Sequence, residues 1–155
     1  MNKKAGIFGL LVALVIGFEG FIQIDYTDPV GIPTACVGHT GPDVHVGKFR
    51  SADECRALLD ADLQETWDAV DRLVTVPMEP YQQAAFTSFA FNVGIGAFAS
   101  STLLRLANAG QMKAACDQLL RWTKAKGGEL PGLVKRRKAE RELCLGHVEA
   151  IGDIR

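Results

Sequence analysis

Two carboxyl groups and a hydroxyl stand out for their settings. Glu19 lies between Phe18 and Phe21 at the end of an apolar run, Asp28 follows nine positions later in a polar turn, and Thr34 comes six beyond that. Burial among apolar groups raises a carboxyl pKa, whereas a solvated turn leaves a carboxylate ionised. One acid kept protonated and one kept charged is the pair that splits an acetal. The first donates a proton to the leaving oxygen and the second acts from the opposite side of the ring. The Thr34 hydroxyl could hold a water beside Asp28. Two acids at this separation occur on many protein surfaces, so the spacing alone decides nothing. The elements that position them must be read next.

The chain has 155 residues, 48% of them hydrophobic and 23% charged, enough for one folded unit with a real core. A formal net charge of −1 argues against a nucleic-acid partner. There is no internal repeat or low-complexity tract.

From Ile24 to about Lys48 the pattern is strand-like. Ile32, Thr34 and Cys36 alternate with their neighbours, Asp28-Pro29-Val30-Gly31 supplies a turn, and Val44, Val46 and Phe49 suggest a further short strand. Ser51 and Glu54 form a capping box that opens a long helix, with an apolar stripe from Cys55 through Leu59, Leu63, Trp67 and Val70. Pro77 and Pro80 separate it from a helix over Tyr81 to Val93. Gly94 and Gly96 break the chain before a helix capped by Ser100 or Ser101, which Gly110 stops. A short helix covers Met112 to Trp122, Gly127, Gly128 and Pro131 form a loop, and a basic helix runs from about Leu133 to Leu145. The expected fold is α+β: a small β-containing lobe (19–50), a connecting helix (51–76) and a helical lobe (77–155), with a ligand cleft between the lobes.

Residues 1–18 carry a separate message. Lys3 and Lys4 precede an unbroken apolar run from Ala5 to Phe18, the pattern of an export signal or membrane anchor. As a helix this run spans about 21 Å, short of a hydrocarbon core of roughly 30 Å. Extension to Ile24 gives the length but takes in Glu19 and Gln23. The large apolar side chains favour insertion by about 3–5 kcal/mol, and one central charge offsets most of that. Three readings compete. A cleaved signal peptide lacks a small-residue site close after Phe18. A buried core helix sits poorly with a run that is apolar all round. A weak, uncleaved anchor with its N-terminus in the cytoplasm fits best.

The four cysteines, Cys36, Cys55, Cys116 and Cys144, lack the close spacing of zinc sites. Two disulfides are expected, with free buried thiols as the alternative, and spacing leaves all three connectivities open. His39, His45 and His147 do not have metal-ligand spacing, so neither a metal nor another cofactor is expected. Trp67 and Trp122 read as core. Lys135-Arg136-Arg137-Lys138, with Arg141, reads as a solvated helix face.

The segment from Glu19 to Thr40 resembles the signature of the phage-type lysozymes, glycoside hydrolase family 24. That family places a glutamate, eight residues, an aspartate, five residues and a threonine, as here. The likeness continues in Tyr26, Gly31, Pro33-Thr34 and Val37-Gly38-His39-Thr40. It resumes in Ala90–Gly94, Ser101–Leu104, Cys116-Asp117-Gln118, Arg121-Trp122, Gly132-Leu133 and Arg136-Arg137. Within the family the chain is similar to signal-arrest-release endolysins of Mu-like phages. The resemblance implies a lysozyme-like fold and hydrolysis of the β-1,4 bond between N-acetylmuramic acid and N-acetylglucosamine, leading to host lysis. It makes Glu19 the proton donor, Asp28 the supporting carboxylate and Thr34 the residue that positions water. His39, Asn92 and Ser101 become candidate sugar contacts, with helix capping an equal account of Ser101. Mapping onto the family fold pairs Cys36 with Cys55 and Cys116 with Cys144. It further implies a monomer that binds peptidoglycan, associates transiently with the inner membrane through residues 5–24, and then works in the periplasm. A lytic transglycosylase is the rival chemistry, which Asp28 disfavours. A membrane-tethered, non-enzymatic wall-binding protein is the rival class.

Overall fold

The computed structural model describes residues 3–151. The apolar run forms helix α1 (Lys3–Glu19). It ends where Gly20 takes a φ of +80°, a conformation open to glycine, and the chain turns into the first strand. Leu11, Val12, Leu14 and Val15 are buried, while the outward side carries Ala5, Gly6, Gly9, Ala13 and Gly17. Small residues expose little apolar area, so a helix without a polar face still sits on a protein body. The run is thus the first helix of the fold here. Among the described residues, no helix is long and apolar enough to cross a membrane.

Strands β1 (Ile22–Thr27) and β2 (Pro33–Cys36) pair antiparallel, with Tyr26 opposite Thr34. A register shift between Ile22 and Tyr26 marks a bulge, which bends a strand and re-aims its tip. The expected strand through Val44 and Val46 does not form. Only Phe49 pairs, with Ile24. Backbone bonds still join the segment to β1, from the Asp25 amide to the Lys48 carbonyl at 2.9 Å, from the Gly47 amide to the Asp25 carbonyl at 2.8 Å and from the Arg50 amide to the Gln23 carbonyl at 2.7 Å, and side-chain bonds reinforce them. Arg50 donates from Nε and Nη2 to the two Asp25 oxygens at 2.7 and 2.9 Å and from Nη2 to the Asp43 carbonyl at 2.8 Å. Asp25 also accepts from the His45 amide at 2.9 Å. Together these bonds fix the 43–50 segment to β1.

Helix α2 (Ala52–Leu73) opens with Ser51 and Glu54 in a reciprocal capping box. Next come α3 (Pro80–Val93), α4 (Ile95–Ala99), α5 (Thr102–Asn108) and α6 (Met112–Gln118), with a tight 3₁₀ turn over Leu119–Arg121. Gly94 ends α3 with a φ of +94°, but Gly96 lies inside α4 and does not break the chain. The expected loop around Gly127 is a minimal hairpin of β3 (Lys124–Ala125) and β4 (Gly128–Glu129). Helix α7 (Pro131–Cys144) and a 3₁₀ turn (Val148–Ile151) complete the described chain. This is an α+β fold with a small hairpin lobe and a larger helical one. α1 packs on α3 and α2, and α7 packs on α3. One continuous core joins Leu11 and Val15 to Leu59 and Leu63 of α2, Phe86 and Phe89 of α3, and Leu143 of α7. Disulfides link Cys36 to Cys55, tying β2 to α2, and Cys116 to Cys144, tying α6 to α7.

The hydrogen bonds from Arg50 hold the Asp25 carboxyl down at about 2, against an ordinary 3.8. Its contribution to stability is present above the ordinary value and is lost as pH falls toward 2. Asp25→Asn leaves a buried guanidinium uncompensated and is expected to cost about 3–5 kcal/mol at neutral pH. Urea denaturation checks this, and the deficit should shrink by about 2 kcal/mol as pH falls toward 2. A neutral-pH loss under about 1 kcal/mol would mean that the loop is held by other contacts.

Candidate active site

The end of α1 delivers Glu19 to the first turns of α7. Glu19 Oε1 accepts from Arg136 Nη1 at 2.6 Å. The same guanidinium lies 5.4 Å from the centre of the Phe18 ring. The purely apolar surroundings expected for Glu19 are therefore corrected. Phe18 is there, but the group facing the carboxyl is a cation.

Arg136 is itself gripped from two other directions. Its Nε donates to Glu140 Oε1 at 3.1 Å and its Nη2 to the Ser88 carbonyl at 3.2 Å. Glu140 takes a second arginine on its other oxygen, Arg137 Nη1 at 2.7 Å, and accepts from Ser88 Oγ at 2.7 Å. Arg137 donates from Nε to the Trp122 carbonyl at 2.9 Å and from Nη2 to Asn92 Oδ1, and lies 5.0 Å from the centre of the Phe89 ring. Burial lowers the Arg137 pKa, and Glu140 works against that. Arg136 and Arg137 are 3% and 1% exposed, so the basic stretch is not a solvated face. Only Lys135 and Lys138 of the four point outward. The reason is helical spacing. Arg136, Arg137, Glu140, Leu143 and Cys144 fall on one buried stripe. That spacing is the signal that could have found them.

Glu19, Asn92 and Arg136 line a cavity of about 850 Å³, with Leu14, Phe18 and Leu133 among its apolar walls. Asp28 and Thr34 do not line that cavity. They share the hairpin. Asp28 Oδ1 accepts from the Val30 and Ile32 amides at 2.9 and 2.8 Å, which locks the turn and the carboxyl together. Buried Thr34 donates to the Ile32 carbonyl at 3.0 Å. In chain order Glu19 precedes β1 and Asp28 follows it directly.

Ser101 accepts from the Leu104 amide at 3.1 Å and donates to the Phe98 carbonyl at 2.7 Å, capping α5. It borders a different concavity, of about 310 Å³. His39 lies between two aspartates, Nδ1 at 2.8 Å from Asp62 and Nε2 at 3.1 Å from Asp43, which links the hairpin lobe to α2. Among the described residues, no group of three or more His, Cys, Asp or Glu side chains is arranged to hold a metal ion.

A helical body carrying a small antiparallel hairpin, with the carboxyl group at the end of its first helix facing a cavity, has the architecture of the lysozyme class. The chain belongs to the phage lysozyme family, whose model matches residues 16–140. It is a glycoside hydrolase, and peptidoglycan is its substrate. It is 44% identical over 141 residues to the SAR-endolysin of Escherichia phage Mu, covering 91% of this chain and 81% of that protein. A solved P22 lysozyme variant superposes with a TM-score of 0.79 at 40% identity, covering 88% of this chain and 95% of that one. The muramidase domain of SpmX from Asticaccaulis excentricus gives 0.81 at 35% identity, again covering 88% and 95%.

The His39 cluster carries a pH signature. Burial opposes the charged ring, but hydrogen bonds and attraction from Asp43 and Asp62 outweigh it and raise the pKa above its ordinary 6.5. A pKa raised on folding lends stability that is fully present below the ordinary value and is lost as pH climbs through the folded value. The melting-temperature gap between the natural protein and His39→Gln should be widest near pH 5 and shrink as pH rises past neutrality. A gap that is flat with pH would rule out the charged histidine as the link.

Proposed function

We propose that this enzyme hydrolyses the β-1,4 bond between N-acetylmuramic acid and N-acetylglucosamine, with Glu19 as the general acid. The observation that carries the proposal is the Glu19–Arg136 contact at the edge of the cavity. One carboxyl oxygen is fixed, and the other is left to hand its proton to the glycosidic oxygen. Asp28, its first oxygen tied into the turn, supports the positive charge that develops on the sugar or orients the attacking water. The Thr34 hydroxyl positions that water. Asn92, which shares the cavity, is assigned to the substrate. His39 and Ser101 are committed to Asp43, Asp62 and the α5 cap, so we assign them to holding the lobes and the helix in place. The enzyme acts as a monomer without a cofactor.

We further propose that residues 5–24 first lie in the inner membrane, and that the enzyme works in the periplasm after release. Two features support this. The apolar character continues past α1 into Phe21, Ile22 and Ile24, which remain exposed in the folded protein. The Glu19–Arg136 pair joins distant parts of the chain, so it forms only once α1 has docked on the helical body.

Glu19→Gln should retain its fold and lose about 10²–10⁴-fold in activity on purified peptidoglycan. The natural enzyme should release fragments with reducing ends. Anhydro ends would make it a transglycosylase, and undiminished activity in Glu19→Gln would remove Glu19 from the chemistry.

A further inference from the structure

Glu140 has no exposed surface and pairs with two arginines at once. A buried acid serving only to neutralise a buried base would need one partner. Each of these arginines instead ends on a different polar residue of the cavity wall: Arg136 on Glu19 and Arg137 on Asn92. The arrangement is that of a fulcrum with two arms.

We infer that Glu140 is a positioning residue for the acid Glu19, acting through Arg136. Three contacts fix the Arg136 guanidinium plane. Glu140 holds the Nε edge, the Ser88 carbonyl holds Nη2, and the Phe18 ring lies against its face. Nη1 is then the one corner aimed at Glu19. Ser88 does double duty, since its Oγ donates to the same Glu140 oxygen that Arg136 Nε uses. Without the Glu140 carboxylate the Nε edge loses its acceptor and the plane is free to tilt. The carboxyl of Glu19 then no longer meets the leaving oxygen in the bound geometry. A misplacement of about 1 Å in such a group costs on the order of a hundredfold in rate. Arg137 is held separately, since its Nε donates to the Trp122 carbonyl.

The inference rests on Glu19 being the acid, which the Glu19→Gln measurement tests on its own. For Glu140 the test is kcat and KM on soluble glycan-strand fragments of peptidoglycan, well below the melting temperature of each variant. Glu140→Gln should lower kcat by about tenfold or more while KM moves by less than about threefold. Glu140→Asp, which keeps the charge, should recover part of the loss. Leu59→Ala, a core substitution on α2 far in sequence from this cluster, supplies a destabilised control and should keep the natural kcat. A Glu140→Gln enzyme that matches Leu59→Ala in kcat per folded molecule would reduce Glu140 to a structural role and overturn the inference. If Glu140→Gln does not fold, Ser88→Ala removes only the hydroxyl. It should lower kcat by about threefold or more at constant KM, and a natural kcat there would equally overturn it.

Discussion

A single ion pair joins the first helix of this protein to its last long one. Glu19 meets Arg136, separated from it by 117 positions, at 2.6 Å. Arg136 in turn belongs to a buried set with Arg137 and Glu140, and Glu19 is its partly exposed fourth member. Buried charges are tolerated only when paired and hydrogen-bonded, and removing one member strands the others. The full set, Glu19 and Asn92 included, needs three helices in place at once. It demands that α1 be docked, that α7 be in register, and that Ser88 and Asn92 of α3 be opposite them.

That requirement gives α1 its meaning. Its apolar side chains would be content in hydrocarbon, but in water Leu11, Val12, Leu14 and Val15 each gain about 1.5–3 kcal/mol by burial against the body. Gly6, Gly9, Ala13 and Gly17 keep the solvent side small. The helix can thus be apolar on every side and still sit on the protein body. Docking it also supplies the carboxylate that completes the charge cluster, so assembly of the fold and assembly of the site are one event.

Much of this was legible in the residues. The period of 3.6 and the Ser51–Glu54 box located α2, the prolines and Gly94 bounded α3, and the likeness of the Glu19–Thr40 segment and the later motifs to the phage-type lysozymes pointed to the family. Three features were not legible, each for a physical reason. An all-apolar helix has no preferred face, so its docking depends on where small residues fall. The 43–50 segment is held by the Asp25–Arg50 pair and by backbone bonds to Gln23 and Asp25, contacts between residues far apart in the chain that no local pattern encodes. Arg136 and Arg137 read as solvent-facing by type, because nothing local states that Glu140, Glu19 and Asn92 will meet them in the interior. Their positions on the stripe shared with Leu143 and Cys144 were the only hint.

The central claim is that activity depends on Arg136 seizing the end of α1. Its most direct test is the rate at which Arg136→Met, verified as folded by circular dichroism, cleaves purified peptidoglycan. Methionine fills the space against Phe18 but offers Glu19 no donor. The account predicts a loss of about a hundredfold or more. Cleavage at the natural rate by that folded variant would contradict it.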